Sequence, residues 1–331
     1  MKNIFKYLVL VLVLVITSCK DEVQNKRLVG NVFGTSYSVQ YEAPATEVDF
    51  QEQFDKLFYI INKSMSTYQA NSIISKINRN EGVSIDSHFR KVFDAAKEIY
   101  SETNGAFDPT IGVMVNAWNF GSDDGIENLD KTVIDSLMQT VGFNKVSREN
   151  DKIIKEHEGT IIDFSAIAKG YGVDVIANFL ETQKVESYLV EIGGEIRTKG
   201  LNLGSGNPWK IGVENPNFDG TQTVMKAISL TDEAMATSGT YRKFRVDENG
   251  NKYAHIIDPK TGYSSKNNVL SVSVIAKECM IADAYATALM TMTVDEIKSF
   301  SKNHTELKLF VIFENDSRQL ETLSLNDFPE E

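Results

Sequence analysis

Thr160-Ile161-Ile162-Asp163-Phe164-Ser165-Ala166-Ile167-Ala168-Lys169-Gly170-Tyr171-Gly172 is the stretch on which the fold turns. Thr160 to Phe164 reads as a short apolar strand. Ser165 and Ala166 let the backbone turn, and apolar spacing then predicts a helix from about Ile167 to Glu181. A strand that feeds a helix directly is the unit of a mixed α/β chain, and the same intermixing recurs on both sides of it. Upstream, Val32 to Tyr41 reads as a strand containing Gly34. Helical spacing runs over Glu47 to Met65, Ser72 to Asn78 and Asp86 to Thr103, the last closed by Asn104-Gly105. Downstream, Tyr188 to Ile192 is a strand ending at Gly193-Gly194. Further strands are expected at Trp209 to Val213, Thr223 to Leu230, Arg242 to Val246, Tyr253 to Ile257, Val269 to Ile275 and Leu307 to Phe313. Met280 to Met292 is an apolar helix, and Thr293-Val294-Asp295-Glu296 is a capping box that opens another. No internal repeat breaks the pattern. The expectation is an α+β (mixed α/β) fold, one large domain over 28–331.

The first 18 residues stand apart. Lys2 and Lys6 precede an unbroken apolar run, Tyr7 to Ile16, which is too short to span a bilayer but suits a signal peptide. The run ends at Ile16-Thr17-Ser18-Cys19, which resembles a bacterial lipobox with Cys19 as the acylated first residue of the mature chain. On this reading 1–18 is a signal peptide and 19–27 a lipidated tether. The protein is then exported and lipid-anchored facing the periplasm, with the inner membrane favoured and the outer membrane or cell surface as alternatives. Lys20-Asp21-Glu22 resembles lipoprotein sorting signals and also suits a plain solvated tether. The formal net charge is -12, and loss of Lys2 and Lys6 takes it to -14, which excludes a nucleic-acid partner. Any polyanionic ligand must therefore be met by a local cation. Hydrophobic residues make up 42% of the chain, enough for a sizeable core. Cys279 is the only other cysteine, so with Cys19 acylated no disulfide forms and Cys279 reads as a small buried apolar residue.

Several segments carry groups suited to chemistry. Asp283 and Thr287 lie four apart on an apolar helix and so share a face. A carboxylate there needs compensation, which a hard divalent cation or a local cap or ion pair would supply. Lys169 sits at a helix start, where free N–H groups and a full charge suit a phosphate. A tightly packed helix start with a surface lysine fits the same residues. Asp108, before Pro109, is held out of the helical region; its carboxylate serves either a ligand or its own turn. His255 runs into an Asp258-Pro259-Lys260-Thr261-Gly262 turn and is a candidate acid, base or phosphate donor, or a structural histidine. Thr237-Ser238-Gly239-Thr240 offers small hydroxyls and Gly193-Gly194 bare backbone. Both suit close approach of a planar or phosphorylated ligand, and both also occur in plain turns. Tyr68 could stack on a ring system or simply pack.

Taken in order, these segments resemble one family, the bacterial FAD:protein FMN transferases or ApbE family, from about Phe33 to Leu289. The resemblance rests on Gly34-Thr35 with Tyr37, Met65-Ser66-Thr67-Tyr68, Phe107-Asp108-Pro109-Thr110, Asp163 through Lys169-Gly170-Tyr171, and Gly193-Gly194-Glu195. It continues in Thr237-Ser238-Gly239, His255 through Gly262, and Ala282-Asp283-Ala284 with Thr287. It implies one domain of two interleaved lobes with an FAD and Mg²⁺ site in the cleft between them. It places Mg²⁺ at the Ala166 carbonyl, Asp283 and Thr287. Some members carry a further acidic ligand where this chain has Ala286. Flavin contacts fall at Phe33, Tyr68, Ala106, Phe107, Asp108, Asp163, Lys169 and Ile257, with Met in many relatives where Phe33 stands. Gly193, Gly194, Ser238 and His255 complete the candidate cofactor-binding set, and Asp283, Lys169 and His255 the candidate catalytic set. The implied reaction is Mg²⁺-dependent transfer of FMN from FAD to a Thr or Ser hydroxyl of an acceptor protein, with AMP leaving. Water in place of that hydroxyl would make the chain an FAD pyrophosphatase, and a flavin-binding lipoprotein without turnover is the third reading. Implied acceptors are membrane redox-complex subunits or other exported flavoproteins.

Overall fold

The structure, a computed structural model, describes residues 23–44, 49–202, 204–241, 244–246 and 252–330. The signal peptide and Cys19 lie outside the described residues. Among those described, no helix is long and apolar enough to cross a membrane.

An eight-stranded antiparallel sheet forms the floor. Its strands are β1 (Val23–Val32), β2 (Thr35–Pro44), β5 (Tyr188–Ile192), β6 (Glu195–Lys199), β9 (Ala234–Gly239), β12 (Val269–Ala276), β13 (Lys308–Glu314) and β14 (Leu320–Leu325), neighbours in that order. Two helices, α6 (Ala168–Thr182) and α7 (Cys279–Leu289), lie on one face of it. On the other face sits a ribbon of β7 (Trp209–Glu214) and β8 (Val224–Leu230). In β7 strict alternation buries Trp209, Ile211 and Val213 against Leu189, Ile275, Phe310 and Ile312 of the sheet. β5, covered on both faces, is buried at four of its five positions.

The chain leaves the sheet after β2 and returns at β5, and the excursion builds a second, mostly helical lobe. It holds α1 (Gln51–Met65), α2 (Ile73–Asn78), α3 (Ser87–Glu102), α4 (Gly112–Ala117), α5 (Lys131–Met138) and a ribbon of β3 (Val146–Glu149) with β4 (Lys152–Lys155). A late hairpin, β10 (Phe244–Val246) with β11 (Lys252–Ala254), and α8 (Val294–Ser301) complete the molecule. One apolar cluster runs from Phe89, Phe93 and Phe164 of the helical lobe through Ala282 and Leu289 of α7 to Val272 and Val274 of β12, so the lobes share a core. The architecture is the expected α+β domain of two interleaved lobes.

The helix ends follow their sequence signals. Ser72 caps α2 and Asp86 caps α3 through side-chain oxygens, and Thr293 with Glu296 forms the full capping box of α8. Two expectations change. Val32 to Tyr41 is not one strand, because Phe33 (φ 51°) and Gly34 (φ 76°) form a tight turn that splits it into the β1–β2 hairpin. Residues 23–27, expected in the tether, are therefore the first half of β1. Thr160 to Phe164 is not a strand either. Only Ile161 makes a bridge, to Ile111, while the N–H of Ile162 donates to Asn78 Oδ1 at 2.9 Å and that of Asp163 to the Pro109 carbonyl at 2.8 Å. The segment is extended and pinned between loops, without a partner strand among the described residues.

Candidate functional site

Between the lobes lies a cavity of about 350 Å³. The helical lobe contributes Tyr68, the 106–109 loop, Ile111, Val115 and Phe120, and the sheet lobe contributes Gly193, Glu195, Thr237, Ser238, Asp283 and Thr287. Asp163, Ser165, Ala166 and Lys169 come from the crossing segment, and His255 to Ile257 from the chain after β11. Of the sequence-derived candidates, Tyr68, Ala106, Phe107, Asp108, Asp163, Ala166, Lys169, Gly193, Ser238, His255, Ile257, Asp283 and Thr287 line this one space. Phe33 and Gly194 do not. The Phe33 ring packs edge-on to Phe58 with centroids 5.8 Å apart, and the Gly194 N–H is turned to the Glu191 carboxylate at 2.8 Å.

α6 and α7 set the polar centre. Gly170 lets them touch: a methyl group there would sit 2.4 Å from the Cys279 carbonyl oxygen. The contact brings the Gly170 N–H to Asp283 Oδ2 at 2.9 Å. Asp283 is 3% exposed, and burial raises its carboxyl above the ordinary range against the opposing pull of Lys169 and the Gly170 N–H. Four residues on, the Thr287 hydroxyl meets that of Ser238 at 3.2 Å, tying α7 to β9. Burial alone would lower the Lys169 ammonium, but Glu195 and Asp283 more than offset it and hold the ammonium above its usual value. Lys169 thus places a cation in the cleft, faced by the Glu195 and Asp283 carboxylates.

Glu195 is the residue that the sequence reading passed over, although Gly193-Gly194-Glu195 was singled out. It opens β6, is 3% exposed, and pairs with Lys169 through Oε1. Its Oε2 is buried with no hydrogen-bond partner among the described residues. Burial, with Asp283 adding to it and Lys169 opposing, pushes the carboxyl up to about 7. An acid at the head of a strand beside two glycines was the available signal, but its partner lies 26 residues upstream.

Asp108 has partners in its own turn and lines the cavity as well. Its Oδ1 accepts from the Thr110 N–H at 2.8 Å and the Thr110 hydroxyl at 2.6 Å, and its Oδ2 from the Phe143 N–H at 3.2 Å. The carboxylate braces its own turn, in a loop whose residues Ala106 to Pro109 line the cavity. Asp163 likewise holds the N–H of Ser165 at 2.8 Å and its hydroxyl at 2.6 Å, shaping the turn into α6. Tyr68, 69% exposed, stands on the wall shared with a second, more polar hollow that also reaches Asp163. Its ring is therefore open to stacking. His255 has the Phe120 ring edge-on at 6.4 Å. A cleft that gathers a buried carboxylate, a lysine, hydroxyls, bare backbone and an open aromatic ring offers groups suited both to a planar ring and to phosphates.

The chain matches the model of the ApbE family over residues 33–311. It is 37% identical over 287 residues to the FAD:protein FMN transferase of Vibrio cholerae serotype O1, covering 84% of this chain and 85% of that protein. It is 35% identical over 315 residues to the FAD:protein FMN transferase of Haemophilus influenzae, covering 91% of this chain and 90% of that one. Among solved structures it superposes on the flavin transferase ApbE from Vibrio cholerae with a TM-score of 0.84 at 33% identity, covering 93% of this chain and 99% of the other.

Proposed function

The chain belongs to the ApbE family, and from that premise we propose that it transfers FMN from FAD to a Thr or Ser hydroxyl of an acceptor protein. The observation that carries the reading is the convergence of Lys169, Glu195, Asp283 and Thr287 in one cleft that Tyr68 also lines. The acceptor hydroxyl forms a new bond to the FMN-side phosphorus, and the pyrophosphate P–O bond breaks to release AMP. The hydroxyl proton goes to a base, for which His255 and Glu195 line the same space. Lys169 meets the charge that builds on the phosphate oxygens.

The residues present fit Mg²⁺. Among the described residues no group of three or more His, Cys, Asp or Glu could hold a metal ion by itself, so a metal here would be held by a single carboxylate together with neutral oxygens. Asp283, Thr287 and Ala166 line the same cleft, and a carboxylate, a hydroxyl and a backbone carbonyl are oxygen donors of the kind Mg²⁺ takes, usually completed by substrate phosphates. Bound there, Mg²⁺ would supply charge neutralisation at the pyrophosphate.

Incubating the purified soluble form with FAD, Mg²⁺ and a candidate acceptor tests the reading. In-gel flavin fluorescence on the acceptor is the expected result. AMP without labelled acceptor would point to a pyrophosphatase, and neither product to a binding protein without turnover. The sequence also supports an exported lipoprotein acylated at Cys19, acting on membrane redox-complex subunits or other exported flavoproteins. Cys19→Ala is then expected to move the protein from the membrane fraction to the soluble one; an unchanged membrane pool would contradict acylation.

A further inference from the structure

Asp174 lies on α6 in neither candidate set and lines no part of the cleft, yet it is fully buried. Its Oδ1 accepts from the Cys279 N–H at 3.0 Å and its Oδ2 from the Met280 N–H at 2.8 Å. Those are the first two N–H groups of α7. The residue in the N-cap position of that helix, Glu278, makes no side-chain cap and instead pairs with Lys91 on the surface at 3.3 Å. The helix is therefore capped from a neighbouring helix, by a residue 105 positions away in sequence. Asp174 is one turn beyond Gly170, so both act on the same face of α6. Gly170 holds Asp283 and Asp174 holds the start of the helix that carries it. From the other side Arg197 of β6 donates to Asp174 at 2.9 Å and to Glu181 at 3.1 Å, while Glu195, two residues earlier on the same strand face, holds Lys169. Sheet, α6 and α7 are thus fixed to one another around a single buried carboxylate.

We propose that Asp174 is a positioning residue, which by capping α7 from α6 keeps Asp283 and Thr287 in register with Lys169 and Ala166. The proposal rests on the reading of those four residues as the Mg²⁺ and phosphate site, and it adds that the site's geometry is set by a side chain outside it. A carboxylate is required because two diverging N–H groups each need an acceptor oxygen. Asparagine keeps the shape and one acceptor but turns an N–H₂ group towards the second donor.

The test is Mg²⁺ binding by titration calorimetry on the full chain with FAD present and no acceptor, together with thermal melts. Asp174→Asn is compared with Arg197→Gln, which removes the cation beside Asp174 and leaves both caps in place. Asp174→Asn is expected to weaken Mg²⁺ binding about tenfold or more, the usual cost of losing support behind a metal site. Arg197→Gln is expected to lower the melting temperature while Mg²⁺ affinity stays within about twofold. Asp174→Asn with wild-type Mg²⁺ affinity would overturn the proposal. So would equal loss of affinity in both variants, because the effect would then follow stability and not the cap. If Asp174→Asn fails to fold, loss of Mg²⁺ affinity in Arg197→Gln still overturns it, and retained affinity supports it. A wild-type protein that binds Mg²⁺ but labels no acceptor would sink the transferase reading and leave this comparison standing.

Discussion

Asp283→Ala loses acceptor flavinylation by about a thousandfold or more, with the fold intact. The size follows from what one residue supplies: the only carboxylate in the proposed Mg²⁺ donor set, in a cleft where preorganised charge is worth about a hundred- to a thousandfold per group. That the fold survives follows from the local chemistry. Burial already disfavours the charged form of Asp283, so removing it relieves a desolvation cost. Alanine suits a helix interior. Lys169 keeps Glu195 as its partner, and the start of α7 stays capped by Asp174. The losses are the acceptor for the buried Gly170 N–H, worth about 1–3 kcal/mol, and one of the two carboxylates that hold the Lys169 ammonium up. In-gel fluorescence at saturating Mg²⁺, beside a melting curve, separates the two effects. Labelling within a few-fold of wild type would remove Asp283 from the reaction, and a collapse of the melt would make its role structural.

Charges stranded in apolar sequence were legible, and charges paired across the fold were not. Asp283 stands alone in an apolar helix and Lys169 alone at a helix start, so each advertised a missing partner. Glu195 and Arg197 face their partners on α6 from a strand, and with Thr198 and Lys199 they make β6 look like a polar loop. β9, Ala234–Gly239, is built of small residues because α7 packs close above it, which removes the β-branched signal. β14 is an edge strand whose residues are mostly exposed, and its alternation is confined to Leu323 and Leu325, too short a run to mark it. The Phe33–Gly34 turn was hidden because phenylalanine rarely takes positive φ; here its ring is held by packing on Phe58 and over Gly172. Helix ends were legible because capping is local: Ser72, Asp86 and Thr293 each bond the third residue onward. The cap of α7 is the exception, supplied across space, and no window of sequence contains it.

Gly170→Ala damages both stability and activity, whereas Gly172→Ala, two residues along the same helix, spares most of the activity. At Gly170 the new methyl would lie 2.4 Å from the Cys279 carbonyl oxygen, 2.7 Å from its carbon and 2.8 Å from Asp283 Cβ. Two of those atoms are backbone, at the end of α7 that Asp174 pins, so the clash cannot be relieved by turning a side chain. Overpacking of this kind costs about 1–3 kcal/mol, from which about 1 kcal/mol of better helix propensity is recovered. The net cost of about 0–2 kcal/mol should therefore lower the melt by no more than about 3 °C in a chain of 331 residues. Activity falls further, because separating α6 from α7 carries Asp283 away from the Gly170 N–H and Lys169, and about 1 Å of misplacement can cost a hundredfold. At Gly172 the methyl would meet Phe33 Cε2 at 2.6 Å, the far end of a side chain beside a turn, outside the cleft. That ring can shift and leave both helices where they are. Transfer rates and melts of the two variants side by side decide it. If Gly172→Ala proved the more damaging to transfer, Phe33 would belong at the flavin after all, and the contact between α6 and α7 would no longer be what sets the site.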